Sequence, residues 1–404
     1  MKKIPAVLLA AALVPSAVLA QQDDAVVVTA TRAPQPSLQV PASVDRIEAD
    51  EIREGRPQVN LSESLGRVPG IVVQNRQNYA QDLQISSRGF GARSTFGVRG
   101  IRLIADGIPA TMPDGQGQAA TFALSSAERI EVLRGPFSAL YGNASGGVIA
   151  IETRDGPERP TGEASLLAGS YDTWRAGLLF GGQWGPLNAT GDVSRFDTNG
   201  YREHSAAVRD HLNAKLRYRL NPDTSFTLVA NSLRQPDTED PLGLTREQFE
   251  ADPRQADQVA FDFNTRKTVN QDQIGGRLEQ RLGGGRLEAT VYGGERFVEQ
   301  FLAFRGGLGL SSGGVVNLDR TYGGGALRYF TEIGAVKLST GIEHERMDER
   351  RRGFINNDGI AGALRRDEDN RVTSTDVYAQ AEWRFAERWS LHGGARHSRV
   401  RFTS

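Results

Sequence analysis

Cysteine is absent from the 404 residues, which excludes a disulfide scaffold, a thiolate metal site and a cysteine nucleophile. Long apolar runs are scarce as well. Hydrophobic residues make up 38% of the chain and the mean hydropathy is -0.42, too polar for a bundle of membrane helices, each of which needs about 20 successive apolar residues. No charge of one sign dominates: 48 basic residues face 49 acidic ones, for a net charge of -1. That balance argues against nucleic-acid binding, which brings a basic excess, and against a disordered chain. Lysine is rare, five residues against 43 arginines. A coding bias of the source genome accounts for the skew, and so does a use of planar guanidinium forks in anion recognition and internal pairing. Glycine, by contrast, is plentiful at 46 residues. A polar, glycine-rich chain remains compatible with a membrane β-barrel, in which only the outward side chains meet lipid.

Lys2 and Lys3 precede an apolar stretch, residues 4–19, that ends in Val18-Leu19-Ala20 before Gln21. This is the layout of a cleaved signal peptide over residues 1–20. A membrane anchor is the alternative, but the stretch is short and broken by Pro5 and Pro15. Export without cysteine suits the envelope of a Gram-negative bacterium. Directly behind it, Asp24-Ala25-Val26-Val27-Val28-Thr29-Ala30 is β-prone. Its polar flanks, with Pro34, Pro36 and Pro41, suggest no hairpin partner nearby. A solitary strand of this kind suits addition to another protein's sheet edge; it suits equally the first strand of the domain that follows.

From about Val40 to Thr153 the pattern is that of a compact mixed α/β unit. Asn60 to Glu63 predicts a capped helix closed by Gly70, with a strand at Ile71-Val72-Val73. A second helix is predicted at Ser126 to Glu128, leading into a strand from Arg129 to Leu133. Between them lie glycine-rich loops, residues 76–84 and 93–118, of a length that usually serves function. From Arg76 through Asp114, five Arg stand with three Asp, interleaved with Tyr79, Phe90 and Phe96. That mixture suits a flat anion, or simply solvated loops. No phosphate loop, nucleophile elbow or dinucleotide fingerprint is present, so no catalytic constellation emerges.

Beyond Thr161 the period changes to two. Ala214, Leu216, Tyr218 and Leu220 alternate with Lys215, Arg217 and Arg219; Leu287, Ala289 and Val291 with Glu288, Thr290 and Tyr292; Val377 through Phe385 with Tyr378, Gln380, Glu382 and Arg384. A soluble sandwich also alternates. Tight turns at Asn221-Pro222-Asp223, Gly283-Gly284-Gly285 and Ala386-Glu387, however, alternate with long connections over residues 236–267, 298–320 and 347–373. Short turns at one end and long loops at the other mark a transmembrane barrel, and about eleven strands fit the chain. Trp174, Trp184, Trp383 and Trp389 fall near strand ends, where an interfacial girdle would place them. Glu343-His344-Glu345 invites a metal reading, but alternation sends His344 away from both carboxylates, and no intrinsic metal is expected.

Several segments of the small unit resemble the plug of TonB-dependent outer-membrane transporters. They are Leu83-Gln84-Ile85-Ser86-Ser87-Arg88-Gly89-Phe90-Gly91, Asp106-Gly107-Ile108-Pro109, and Glu128-Arg129-Ile130-Glu131-Val132-Leu133-Arg134-Gly135-Pro136 continuing into Ser138-Ala139-Leu140-Tyr141-Gly142. Asp24 to Ala30 resembles the family's TonB box. Ser87 departs from the family, which has an apolar residue there. A further resemblance, to the transporter group for pyrroloquinoline quinone, is carried by Asn75-Arg76-Gln77-Asn78-Tyr79-Ala80-Gln81-Asp82-Leu83, by Gly107 through Gln118, and by Thr265-Arg266-Lys267 and Leu364-Arg365-Arg366-Asp367-Glu368.

The resemblance implies an α+β plug followed by an antiparallel transmembrane β-barrel of 22 strands, about half of them here, so the chain reads as an N-terminal fragment. The implied order is a signal peptide over 1–20, a TonB-box tail over 21–39, the plug over 40–155 and barrel strands over 156–404. The implied function is active uptake of a scarce ligand, first of all pyrroloquinoline quinone. A ferric siderophore or ferric citrate is the alternative; a passive porin or an outer-membrane enzyme fits less well. The expected ligand contacts are Arg76, Asn78, Tyr79, Arg93, Met112 and Gln116. Arg88 and Arg134 are the expected plug links to barrel carboxylates, with Glu343 and Glu345 facing the lumen. The implied partners are TonB with ExbB and ExbD on the periplasmic side, outer-membrane lipid and lipopolysaccharide, the barrel-assembly machinery and a small anionic or chelate ligand. No cofactor and no nucleic acid are implied.

Overall fold

In the computed structural model the described residues are 27–28, 35–36, 40, 42–94, 96–135, 141–142, 144–309 and 311–404. The expected signal peptide, Asp24, Ala25, Val26, Thr29 and Ala30 of the expected TonB box, and Pro136, Ser138, Ala139 and Leu140 of the plug motif lie outside them. Strand β1 (Val27–Val28) pairs antiparallel with β2 (Gln35–Pro36). The β-prone segment therefore has a neighbour in its own chain, contrary to expectation. Proline removes one donor but keeps its carbonyl, so it is tolerated in a two-residue edge ladder.

The small unit is built on a five-stranded sheet. Its elements are β3 (Ser43–Glu48), α1 (Ala49–Arg53), α2 (Ser62–Leu65), the hairpin β4 (Ile71–Gln74) and β5 (Gln84–Ser87), then β6 (Ile101–Ala105), β7 (Ile108–Pro109), β8 (Ala127–Arg134) and β9 (Gly147–Thr153). The sheet order is β3-β8-β9-β6-β7, with β6 and β9 parallel. Ile47, Ile52, Leu65, Leu103, Ile130 and Ile149 close the core at or near zero exposure. Helix α1 starts at a reciprocal capping box between Glu48 and Glu51. At α2 the Glu63 carboxylate accepts from the backbone N–H of Gln58, Val59 and Asn60 at 2.6, 3.0 and 2.7 Å. Asn60 itself is not a side-chain cap; its Oδ1 accepts from Arg209 at 3.3 Å. The helix expected at Ser126 to Glu128 does not form. A 3-10 turn sits earlier, at Ala119–Thr121, and β8 begins at Ala127 because it has sheet partners on both sides, β3 and β9.

The remaining strands form one antiparallel sheet of eleven, each paired with the next. They are β10 (Thr161–Ala168), β11 (Trp174–Trp184), β12 (Leu187–Thr198), β13 (Ala207–Asn221), β14 (Thr224–Glu239), β15 (Arg266–Leu282), β16 (Gly285–Phe301), β17 (Val315–Ile333), β18 (Val336–Asn357), β19 (Ile360–Ala386) and β20 (Trp389–Thr403). Alternation sorts lipid face from lumen as expected: Val291 is 66% exposed while its neighbour Thr290 is 3% exposed. The loop expected over 298–320 shrinks to residues 302–314, and that over 347–373 is no loop at all. There β18 and β19 continue as paired strands to a turn at Asp358 and Gly359. At about 3.3 Å per residue, a strand of the 27-residue length of β19 runs far beyond a hydrocarbon band about 25 Å tall. The charges of this segment, Arg350, Asp367 and Arg371 among them, are cross-strand pairs above the membrane. Residues 240–265 do form a long connection, and it holds the helices α3 (Arg246–Ala251) and α4 (Gln258–Asp262).

Candidate functional site

The long connections and the loops of the small unit meet at one end of the molecule. Two Asx turns shape residues 75–80, with Asn75 Oδ1 accepting from Gln77 N at 2.8 Å and Asn78 Oδ1 from Ala80 N at 2.9 Å. Gln77, at φ 54, turns the chain so that Arg76 and Gln77 face solvent while Tyr79 packs inward. The Tyr79 ring lies 4.8 Å from that of Phe196 and 5.8 Å from the Arg209 guanidinium. Burial raises its phenol pKa, against the pull of Arg209. The second loop needs glycine at position 91. At φ +87, any Cβ there would meet the carbonyls of Arg99 and Ile85 at 2.7 and 2.8 Å. Beyond it Arg93, Phe96 and Arg99 are exposed, as is Phe90 before it.

Asp82 ties these loops to the wall. Its Oδ1 accepts from Lys267 Nζ of β15 at 2.8 Å, and its Oδ2 from Gly97 N at 3.0 Å and Gln118 Nε2 at 3.1 Å. Burial works to raise its pKa, but the Lys267 ammonium, with help from Arg296 and Gln118, outweighs burial and holds the carboxyl below its usual range. Beside it, Gln116 Oε1 accepts from Arg320 of β17 at 2.8 Å. Arg320 donates in turn to Glu349 of β18 at 2.5 Å. Met112 packs among Tyr322, Met347 and Val372 of the wall. Asn78 donates to Asp240 at 2.6 Å, and Gln81 bonds the same carboxylate.

The six expected ligand contacts therefore do not share one surface. Arg76 and Arg93 stand exposed at the apex. Asn78, Tyr79, Met112 and Gln116 are engaged between the small unit and the sheet wall, because the two loops that carry them are inserted rather than free. Among the described residues, neither expected salt link to a barrel carboxylate is formed. Arg134 pairs with Asp45 and donates to Ser43 at 2.8 Å, both on the neighbouring strand β3. Arg88, exposed and at φ 49, makes no ion pair among the described residues. The links to the wall come instead from Asp82, from Arg102, which pairs with Glu345 of β18, and from Asp155. Asp155 meets Lys215 at 2.8 Å and Arg217 at 2.5 Å. Lys215 and Lys267, which make these links, are two of only five lysines in the chain. A charge buried against the plug needs a partner there.

Glu345 also accepts from Tyr292 at 2.9 Å, while His344 points the other way and shares a hydrogen bond of 2.8 Å with Thr375. Below these contacts lies a charged cavity of about 820 Å³, lined by Glu128, Arg129, Glu152, Arg277, Arg286 and Glu288 among others. Burial, reinforced by Asp106, pushes the Glu152 carboxyl up to about 7, against Arg277, Arg129 and Lys215.

Comparison with known proteins agrees with this architecture. Residues 36–148 match the TonB-dependent receptor plug domain and residues 156–404 the TonB dependent receptor-like β-barrel. An iron-regulated outer membrane virulence protein of Vibrio cholerae is 32% identical over 243 residues, covering 55% of this chain and 35% of that one. The vitamin B12 transporter BtuB of Vibrio vulnificus is 33% identical over 42% of this chain and 28% of its own. The ferrienterobactin receptor of Escherichia coli is 34% identical over 33% of this chain and 19% of its own. The chain thus matches about a third or less of the length of these relatives. Among solved structures, the unliganded ferric citrate transporter FecA superposes with a TM-score of 0.72 at 20% identity, over 91% of this chain and 57% of that one. The ferric yersiniabactin uptake receptor FyuA of Yersinia pestis gives 0.70 at 19%, over 89% and 57%. These two show the shared fold. With an inserted α+β plug, an alternating antiparallel wall and both family models matched in order, the chain belongs to the TonB-dependent receptors of the outer membrane.

Proposed function

We propose that this chain serves TonB-dependent uptake of an anionic ligand across the outer membrane, by binding and gated passage rather than bond chemistry. The observation that carries the proposal is the α+β unit of β3 to β9, seated against the wall by polar pairs and showing Arg76, Phe90, Arg93 and Phe96 at its exposed apex. Ligand captured by these groups and the long loops loosens the apical seat. The Asp24 to Ala30 segment, in the tail ahead of residue 40, is then offered to the periplasm. TonB, driven through ExbB and ExbD, adds that segment to its own sheet edge and pulls. A ferric chelate is the favoured ligand class, supported by relatives named as iron-regulated and as a ferrienterobactin receptor. Pyrroloquinoline quinone is a second reading, supported by the resemblance around Asn75 to Leu83 and by the match of a flat polyanion to guanidinium and aromatic faces.

Calorimetric titration of the folded protein with ferric citrate, ferric enterobactin and pyrroloquinoline quinone tests this. Micromolar or tighter binding of one anion is expected, weakened about tenfold by Arg93→Ala, the loss of about 1.4 kcal/mol. Absence of binding by every anion tried would contradict it.

A further inference from the structure

A buried guanidinium without a partner lies at the join between plug and wall. Arg296 of β16 points inward and is less than 2% exposed as a side chain. Among the described residues it makes no ion pair or hydrogen bond, and its Nε and Nη1 are buried with nothing to donate to. The charges around it are matched already. Asp82 has Lys267 at 2.8 Å, Arg320 has Glu349 at 2.5 Å, and Asp114 has Arg99 at 3.6 Å. Asp82 and Asp114 face Arg296 from the plug, beyond ion-pair distance.

The strand register sets Gln271 of β15 on one side of Arg296 and Arg320 of β17 on the other. Gln271 also has a buried atom without a partner, its Oε1. An amide's oxygen and nitrogen exchange places by a half-turn, so the same side chain has N–H donors to offer. One step toward the loops, Leu233, Val269 and Val298 form an apolar cluster with Leu318 and plug residue Ala120, which keeps bulk water away. A cation buried in such surroundings is costly unless something negative joins it.

We propose that Arg296 and Gln271, with Arg320 alongside, form a binding site for one small anion, a halide or a single carboxylate, enclosed between the plug's apical loops and the wall. The anion neutralises Arg296. Because plug residues close the site, it binds only while the plug is seated, so it adds to the seat. A free anion of the medium and a carboxylate arm of a captured ligand share this chemistry. The inference stands apart from the identity of the transported ligand.

The full chain, folded in detergent, is unfolded thermally at constant ionic strength while sodium bromide, then sodium acetate, replaces the salt of a bulky sulfonate. A saturable upward shift of several degrees is expected, and Arg296→Met abolishes it. If that variant fails to fold, bromide located by anomalous scattering in wild-type crystals, within hydrogen-bond reach of Arg296, gives the same answer. Acetate competing with bromide identifies a carboxylate-accepting site, and bromide acting alone a halide site; both support the proposal. No saturable shift, with no bromide beside Arg296, overturns it and leaves the guanidinium bonded directly to Gln271.

Discussion

Two carboxylates show how position sets the behaviour of a single residue. Asp82 is held ionised by Lys267, so its contribution is fully present above the unfolded value of about 4 and is lost as pH falls through the lower folded value. Asp82→Asn is therefore expected to destabilise the seated plug by about 3 kcal/mol near neutrality and to flatten the acid limb of its stability. Denaturant unfolding at a series of pH values measures both. Glu152 has the opposite sign. Its carboxyl is raised to about 7, so the folded state loses stability as pH rises from about 4.3 toward 7. Glu152→Gln is expected to stabilise the protein at pH 8 and to make little difference at pH 4. A larger benefit at pH 4 would contradict the assigned cause. Neither residue could be singled out in the sequence, because both effects arise from groups brought in by distant strands.

At the scale of elements, periodicity revealed the strands and turn chemistry revealed the short connections, but neither showed where strands end above the membrane. The segment from Met347 to Thr373 is dense in charge and looks like a loop, yet those charges alternate as cross-strand pairs along β18 and β19. Asn356 anchors the far end of this hairpin. Fully buried, it donates to the carbonyls of Phe263 and Leu302 at 3.0 and 3.1 Å and accepts from Gly359 N at 2.8 Å, tying three outer connections together. Asn356→Ala leaves those groups unpaired at a cost of about 1–3 kcal/mol. Faster proteolysis within residues 240–265 and 302–314 is the expected result; unchanged cleavage would show that the loops are held otherwise. The plug helix expected at Ser126 illustrates the reverse error, since a short local helix there yields to sheet partners on both sides.

On the scale of the whole molecule, plug motifs and barrel alternation made the two-part architecture legible, whereas the seat between the parts was not. Arg134 looked like a link outward and turned out to bind β3. Lys215 looked like an ordinary lumen charge, and Lys267 and Arg320 like the ends of long loops, yet all three hold the plug. Contacts between residues sixty to about two hundred positions apart leave no local pattern to read. In the proposed mechanism a seated plug is displaced by a pull on the tail. Its most direct measurement is energy-dependent uptake of the bound ligand by cells producing the protein with and without residues Asp24 to Ala30. The deletion is predicted to abolish uptake while leaving ligand binding at the cell surface intact. Uptake that continues at the wild-type rate without that segment would contradict that mechanism.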